Sequence, residues 1–209
     1  QMQLAQNSDV PVGALSAIDL VSHDQLTDHC WLKATPVLLK PDRDRLVLDQ
    51  AGIASVDQAN RADMQTLIDE LKEYFTPLFS EILPAPDTGW LIRCDSDYNI
   101  TTTPLMDVIG RNVDNLLPAG EDYQQWHQVL NEVQMLLYNR DSLETGFNAL
   151  WFEGIGSLPK KRPLQTDIAV LGDESLLSAF CNWSGAIKLK SLQELQETVL
   201  EISSVISAE

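Results

Sequence analysis

The sequence predicts an α/β protein made of an α+β lobe followed by a βαβα segment. Two observations support the lobe: short apolar runs bounded by turn residues, and two longer stretches whose apolar residues recur at helical spacing. A third supports the segment, because strand and helix patterns alternate near the C-terminus. We therefore divide the chain into an irregular N-terminal segment (1–29), the lobe (30–158) and the βαβα segment (164–209).

Four short runs in the lobe are rich in β-branched and aromatic residues, which are typical of strands. They span residues 31–39, 45–48, 90–94 and 149–152. The turn-forming residues at 41–44 separate the first run from the second, so these two are predicted to form a hairpin. All four runs are expected to lie in one sheet.

Two long amphipathic helices are predicted in the same lobe, over residues 57–80 and 120–139. Ser55 and Gln58 form a capping box at the start of the first helix, and Pro77 is expected to end or kink its last turn. Each helix has an apolar stripe, so we expect both helices to cover the sheet.

The second part of the chain begins after a basic loop at residues 159–163. Apolar strands are predicted over 168–171 and 186–189, with a helix over 174–182 between them and a last helix over 191–206. Strands joined through a helix in this way are expected to be parallel, with a right-handed connection.

The composition restricts the partners that the chain can bind. Lys and Arg number 14 against 31 Asp and Glu, which gives a net charge of -17. This charge repels nucleic acid and anionic membrane surfaces, so neither is expected as a partner. No apolar run approaches the roughly 18 residues that a membrane span needs, and the first eight residues lack the features of a signal peptide. We therefore expect a cytoplasmic protein and leave its oligomeric state open.

The three cysteines, Cys30, Cys94 and Cys181, are far apart in the sequence and form no Cys-x-x-Cys pair. This pattern argues against a disulfide framework and against a zinc site, so reduced core thiols are expected. Two histidines and two aspartates lie close together within residues 23–29. We predict a solvated loop there rather than a metal site.

Two arginines, Arg93 and Arg111, stand out in this acidic chain because guanidinium groups bind carboxylates and phosphates with paired hydrogen bonds. Either each arginine takes part in an anion site, or each pairs with a neighbouring acid. The residues alone leave both alternatives open.

Five short stretches between residues 30 and 160 carry a family resemblance. They are Trp31–Leu39 with Asp42–Leu46, Trp90–Arg93, Thr102–Pro104 with Asp107–Arg111 and Leu117–Pro118, Leu130–Leu137 and Asn148–Gly156. In this order they resemble the archaeal branch of the cofactor-independent phosphoglycerate mutases, in the alkaline phosphatase superfamily. They also resemble shorter bacterial relatives described as Rpf-type regulatory proteins or as phosphoglycerate mutases. The most specific element is Asn148-x-x-Trp151-x-x-Gly154-x-Gly156, which we call the tryptophan motif.

The resemblance implies that this region corresponds to the domain inserted into the phosphatase core, which helps to hold the substrate over two metal ions. It implies that Arg93 and Asp107 lie near the substrate surface, and we add Arg111 as the third predicted substrate-binding residue. The sequence departs from the mutases in places. Leu105-Met106 stands where the mutases have Pro-His, and Glu153 stands where a second Trp is expected.

The Asp-Gly metal site, the nucleophilic serine and the Asp-x-x-Gly-His element of the mutases are not found in these 209 residues. Phosphoryl transfer of this kind needs ligands for two cations about 4 Å apart. We therefore expect a non-catalytic relative with a binding or regulatory role towards a small phosphorylated or carboxylated metabolite, without metal, cofactor or catalytic residues. The alternative is a metal-dependent phosphoglycerate mutase or phosphatase whose catalytic parts lie outside this chain.

Overall fold

A computed structural model gives the fold of the chain. It describes residues 10–51, 58–76, 78–85, 89–138, 147–160, 169–171, 175–189 and 191. Two compact units make up the chain, Gln1–Leu158 and Pro159–Glu209. Helices and strands occur in both units, which confirms the predicted α/β class.

The first unit contains the following elements. Its helices are α1 (Val12–Ser16), α2 (His23–Asp28), α3 (Gln58–Tyr74) and α4 (Tyr123–Tyr138). Its strands are β1 (Cys30–Asp42), β2 (Arg45–Ala51), β3 (Phe79–Pro84), β4 (Trp90–Cys94), β5 (Ile100–Thr101), β6 (Ala119–Gly120) and β7 (Ala149–Gly156). A short 3-10 turn, Leu105–Asp107, lies between β5 and β6.

Strand β1 is the centre of an antiparallel sheet. Residues between Trp31 and Ala34 pair with both β4 and β7, so those two strands lie on opposite edges of β1. Val37 pairs with Ala51 of β2 and with Ala149 of β7, which places β2 on the same edge of β1 as β4. Strand β3 pairs with the other edge of β4. The sheet therefore contains the four predicted strands and one more, β3.

The predicted hairpin is confirmed by the pairing of β1 with β2. Asp42 lies opposite Arg45, so the turn consists of two residues. Arg43 adopts a φ of 59° in this turn, the left-handed conformation that a two-residue hairpin connection favours.

The prediction of the first long helix was wrong at its C-terminal end. Helix α3 ends at Tyr74, and the residues from Phe79 onward form strand β3 instead of continuing the helix. Phe79 continues the helical spacing of the apolar residues in the sequence, and in the structure it belongs to the same apolar core as α3. Its place is set by pairing with Cys94 of β4, the next strand along the chain. The second long helix is confirmed as α4.

The main core lies between the sheet and helices α3 and α4. Trp126 of α4 is fully buried, and its ring centroid lies 5.5 Å from that of Tyr98 and 5.6 Å from that of Phe152 on β7. Burial of a large apolar side chain stabilises a fold by about 1.5–3 kcal/mol, and aromatic pairs add about 0.5–1.5 kcal/mol. The predicted cover of the sheet by two long helices is therefore confirmed.

The described part of the N-terminal segment, residues 10–29, contains the short helices α1 and α2. Helix α1 overlaps a helical candidate that the sequence offers from Gly13 to Leu20, whereas α2 lies where a solvated loop was expected. Ser22 caps α2 in a capping box with Gln25, an arrangement that satisfies backbone groups at the helix start. Helix α1 approaches β1 closely at Gly13, where an added Cβ would lie 2.5 Å from the Leu32 Cα. Only glycine allows that approach.

The second unit contains β8 (Ala169–Leu171), α5 (Ser175–Ser184) and β9 (Ile187–Leu189). Strands β8 and β9 pair in parallel, as the sequence predicts. Ser55, Pro77 and the predicted last helix, apart from its first residue, lie outside the described residues. Within the described part of the chain, none of the helices has the length and apolar character needed to cross a bilayer.

Candidate functional site

The tryptophan motif holds strand β7 in place through its side chains and glycines. The Asn148 side chain pairs with the backbone of Leu39: its Oδ1 accepts from the Leu39 N–H, and its Nδ2 donates to the Leu39 carbonyl, both at 2.8 Å. Asn148 therefore continues the pairing between β1 and β7 beyond the end of β7. Gly154 has a φ of 61°, and an added Cβ there would lie 2.8 Å from the Val12 backbone nitrogen.

The same motif fastens the start of the loop between β5 and β6, residues 102–118, which we call the cover loop. The Trp151 indole N–H donates to the Thr103 carbonyl at 2.9 Å, and the Gly154 N–H donates to Thr102 Oγ1 at 2.9 Å. Glu153 accepts a 2.6 Å hydrogen bond from the Leu105 N–H. Glu153, which departs from the mutase pattern, thus anchors the same loop.

The other half of the cover loop is fastened to β2. The Gly110 N–H donates to the Leu48 carbonyl at 2.7 Å, and the Val113 N–H donates to the Leu46 carbonyl at 2.9 Å. Val113 also belongs to an apolar cluster with Leu48 and Trp151. The cover loop is therefore packed on the sheet along its length.

The structure brings Asp107 and Arg111 together, since Arg111 Nη1 donates to the Asp107 carbonyl oxygen at 2.8 Å. Both residues are exposed on the cover loop. Arg93 lies on β4, where its Nε donates to Ser80 Oγ at 3.0 Å and its Nη1 lies 3.0 Å from Glu81 Oε2 on β3. That second contact is an ion pair without hydrogen-bond alignment, because Glu81 Oε2 accepts no hydrogen bond.

Other cations of the first unit also pair with nearby acids. Lys40 Nζ lies 2.7 Å from Asp49 Oδ2, and Arg45 Nη2 lies 2.6 Å from Asp42 Oδ2. These contacts favour the alternative in which each basic side chain is engaged by its neighbours. Arg93 in particular is held by β3, whereas Asp107 and Arg111 share the cover loop. Their role in substrate binding stays a prediction.

A cavity of about 130 Å³ lies between α4, the cover loop and the end of the sheet. Its apolar lining comes from five different elements. The residues are Leu39 of β1, Leu46 of β2, Val113 and Leu117 of the cover loop, Leu130 of α4, and Ala149, Leu150 and Trp151 of β7. The cover loop thus forms one wall of the cavity, and the strand that carries the tryptophan motif forms another.

The polar lining of this cavity comes mainly from one face of α4. His127, Asn131 and Gln134 follow one another at helical spacing, and Asp114 of the cover loop is the fourth polar residue. His127 Nε2 lies 2.9 Å from the Pro118 carbonyl oxygen, so that nitrogen carries the proton and Nδ1 is free to accept. The apolar stripe alone predicted α4 from the sequence. The helical spacing of these three polar residues was a further signal, and no prediction was based on it.

A second, larger concavity of about 470 Å³ lies between the end of α3, the loop after β4, and α4. It is lined by aromatic and acidic side chains that include Tyr74, Tyr98, Asp95 and Glu132. The Tyr74 hydroxyl donates to Glu132 Oε2 at 2.9 Å, and this bond, together with the carboxylate charge, raises the pKa of Tyr74. Burial is the main reason that the pKa of Tyr98 is raised.

Among the described residues, no group of three or more His, Cys, Asp or Glu side chains is arranged to hold a metal ion. Comparison of the chain with protein-family models, with curated proteins and with solved structures gives no match.

Proposed function

We propose that this chain is a binding or regulatory protein related to the phosphoglycerate mutases, and that it holds a small carboxylated metabolite in the cavity beside α4. The observation that carries the proposal is the composition of that cavity, in which an apolar floor meets three hydrogen-bonding side chains on one helix face. Ligand sites commonly combine an apolar lining with a few converging polar groups. The mutase relationship itself rests on the five sequence stretches.

The polar groups suit a carboxylate better than a phosphate. Asn131 and Gln134 each offer two amide N–H donors to the oxygens of a carboxylate. Neither Lys nor Arg is among the described residues that line the cavity. A phosphate dianion would meet no compensating cation there and would face the charge of Asp114, whereas a monoanion needs less compensation.

The apolar floor sets the shape of the ligand. Leu39, Leu117, Leu130 and Trp151 can bury a short branched hydrocarbon, and burial contributes about 25 cal/mol for each Å² of apolar surface. A five-carbon carboxylate is therefore expected to bind with a dissociation constant of about 0.1–1 mM, since costs of association offset much of this gain.

Isovalerate, isovaleramide and 3-phosphoglycerate are the probes that test this proposal. In NMR titrations of ¹⁵N-labelled protein, isovalerate should shift the amide signals of α4 and the cover loop and should bind more tightly than the other two. Tighter binding of 3-phosphoglycerate would overturn the choice of a monocarboxylate. The absence of shifts with every probe would overturn binding at this cavity.

Matched variants on α4 locate the site. Asn131→Ala and Gln134→Ala should each weaken isovalerate binding about 3- to 10-fold, because each removes one hydrogen-bonding side chain. Gln128→Ala is the control, since Gln128 is exposed and lines the second concavity instead. Equal weakening by the control would contradict the assignment.

The enzymatic alternative has its own test. Turnover of 3-phosphoglycerate with Mn²⁺ or Mg²⁺ that chelator abolishes would replace the binding role with catalysis, and we expect none from this chain. A cytoplasmic location is also part of the proposal. It is supported by the three cysteines, which are buried and free of disulfides.

A further inference from the structure

Cys30 and Cys94 face each other directly across the pairing of β1 with β4. Cys30 is the first residue of β1 and Cys94 is the last residue of β4, so they form the terminal pair of that ladder. Both side chains belong to the core under α3 and α4, which means that they point to the same face of the sheet. They are 64 residues apart in the sequence, so their pairing was not evident from their spacing.

The spacing of directly opposed strand residues is close to what a disulfide needs. Opposed Cβ atoms in antiparallel strands lie about 4.5–5.5 Å apart, and disulfide-linked Cβ atoms lie about 3.5–4.5 Å apart. The two thiols interact with each other, and this interaction shifts the pKa of both. Closure of the S–S bond therefore requires only a small approach of the two strand ends.

The surroundings of the two thiols differ in a way that assigns them different roles. Hydrogen bonding with Cys94 is the main cause that lowers the pKa of the Cys30 thiol, and it outweighs the opposing effects of burial and of the Asp97 charge. The backbone amides of Tyr98 and Gly156 act in the same direction as Cys94. The pKa of Cys94 is raised by the same hydrogen bond and by burial. The directions of these two pKa shifts favour Cys30 as the attacking thiolate, whereas the opposed positions of the two cysteines favour the disulfide whichever thiol reacts first.

We propose that Cys30 and Cys94 form an oxidation site that closes to a disulfide when the protein meets a peroxide. The Cys30 thiolate attacks one oxygen of hydrogen peroxide, the O–O bond breaks, and the departing hydroxide takes up a proton to become water. The sulfur of Cys94 then attacks the Cys30 sulfenic acid, a second water leaves, and the S–S bond forms. Two thiols and one peroxide yield one disulfide and two waters.

Access for peroxide follows from the position of the pair. Cys30 is 4% exposed and Cys94 is 1% exposed, so the closed sheet shields both. Strand ends open locally at a lower free energy than the centre of a sheet, and this pair lies at such an end. The reaction should therefore proceed in the native protein without global unfolding. It does not rest on the function proposed above.

Mass spectrometry of peroxide-treated native protein tests the inference. We expect the free thiols to fall from three to one, the intact mass to fall by about 2 Da, and peptide mapping to join Cys30 to Cys94. Dithiothreitol should restore all three thiols. Circular dichroism during treatment should show that the fold is kept.

Single substitutions provide the controls. Cys181→Ser should still lose two thiols, because the pair is intact, whereas Cys30→Ser and Cys94→Ser should each fail to form an intramolecular disulfide. If either of these two variants does not fold, the peptide map of Cys181→Ser decides the matter. Separate over-oxidation of Cys30 and Cys94 without a link, or a link that involves Cys181, would overturn the proposal.

Discussion

Replacement of Asn148 by alanine tests the structural role of the tryptophan motif. The substitution removes two 2.8 Å hydrogen bonds, one to the Leu39 N–H and one to the Leu39 carbonyl. A hydrogen bond contributes about 0.5–1.5 kcal/mol net, and both Leu39 groups are partly buried, so we expect a loss of about 1–3 kcal/mol in the free energy of unfolding. The backbone bond from the Asn148 N–H to Val37 is kept, so the loss should not exceed this range.

Urea unfolding followed by tryptophan fluorescence measures this loss. Four of the five tryptophans lie in the first unit, so the signal reports mainly on the unit that contains Asn148. The midpoint should fall while the slope with urea concentration stays the same, because the surface exposed on unfolding is unchanged. Two further variants serve as comparisons for this measurement.

Asn148→Asp keeps the acceptor for the Leu39 N–H but places a carboxylate oxygen against the Leu39 carbonyl. We expect it to be at least as unstable as Asn148→Ala at neutral pH. Asn115→Ala is the control, since Asn115 is exposed on the cover loop, and it should stay within about 0.5 kcal/mol of the parent. An Asn148→Ala protein as stable as this control would refute the reasoning.

Three other substitutions follow from the contacts. In urea unfolding, the free energy of unfolding of Gly154→Ala should be lower than that of Gly110→Ala by at least about 2 kcal/mol. Both glycines have a positive φ, but only an added Cβ at Gly154 would contact the N-terminal segment. Equal losses in the two variants would show that backbone conformation alone matters. Glu132→Gln should lower the pKa of Tyr74 towards its ordinary value, because the Glu132 carboxylate of the parent protein stabilises the protonated phenol. Tyrosinate absorbance measures this pKa. An unchanged titration would show that Glu132 does not cause the shift. Arg93→Met should lower the free energy of unfolding by about 1–2 kcal/mol in calorimetric melting, because it leaves a half-buried carboxylate without its ion pair. Its affinity for isovalerate should stay the same. A large loss of affinity would mean that Arg93 belongs to the binding site.

Local patterns predicted much of the fold. The hairpin of β1 and β2 was evident from turn residues between two apolar runs, and α4 from a regular apolar stripe. The end of α3 was missed because helical spacing continues into Phe79, whose position is fixed by pairing with Cys94. That pairing is with the following strand, so the apolar spacing that leads into Phe79 from α3 does not reveal it.

The candidate site was less predictable, for a related physical reason. Arg93 and Arg111 were chosen because guanidinium groups bind anions, but the structure shows each engaged by groups close to it. His127, Asn131 and Gln134 share one helix face in the sequence, yet that face becomes a cavity wall only when the cover loop packs beside it. The packing depends on Glu153 and Trp151, which are remote in sequence from that helix face.

The tryptophan motif and the cavity therefore carry different kinds of information. Asn148, Trp151 and Gly154 bond to backbone groups of β1 and to the cover loop, so their presence predicts this scaffold whatever chemistry it serves. Ligand recognition has to come from side chains that face open space, such as those on α4. Substitution of Asn131 or Gln134 should thus change isovalerate affinity with little effect on the free energy of unfolding, since neither side chain is buried. If these substitutions destabilised the protein as much as Asn148→Ala, the α4 face would be a structural element as well, and the argument for a ligand there would fail.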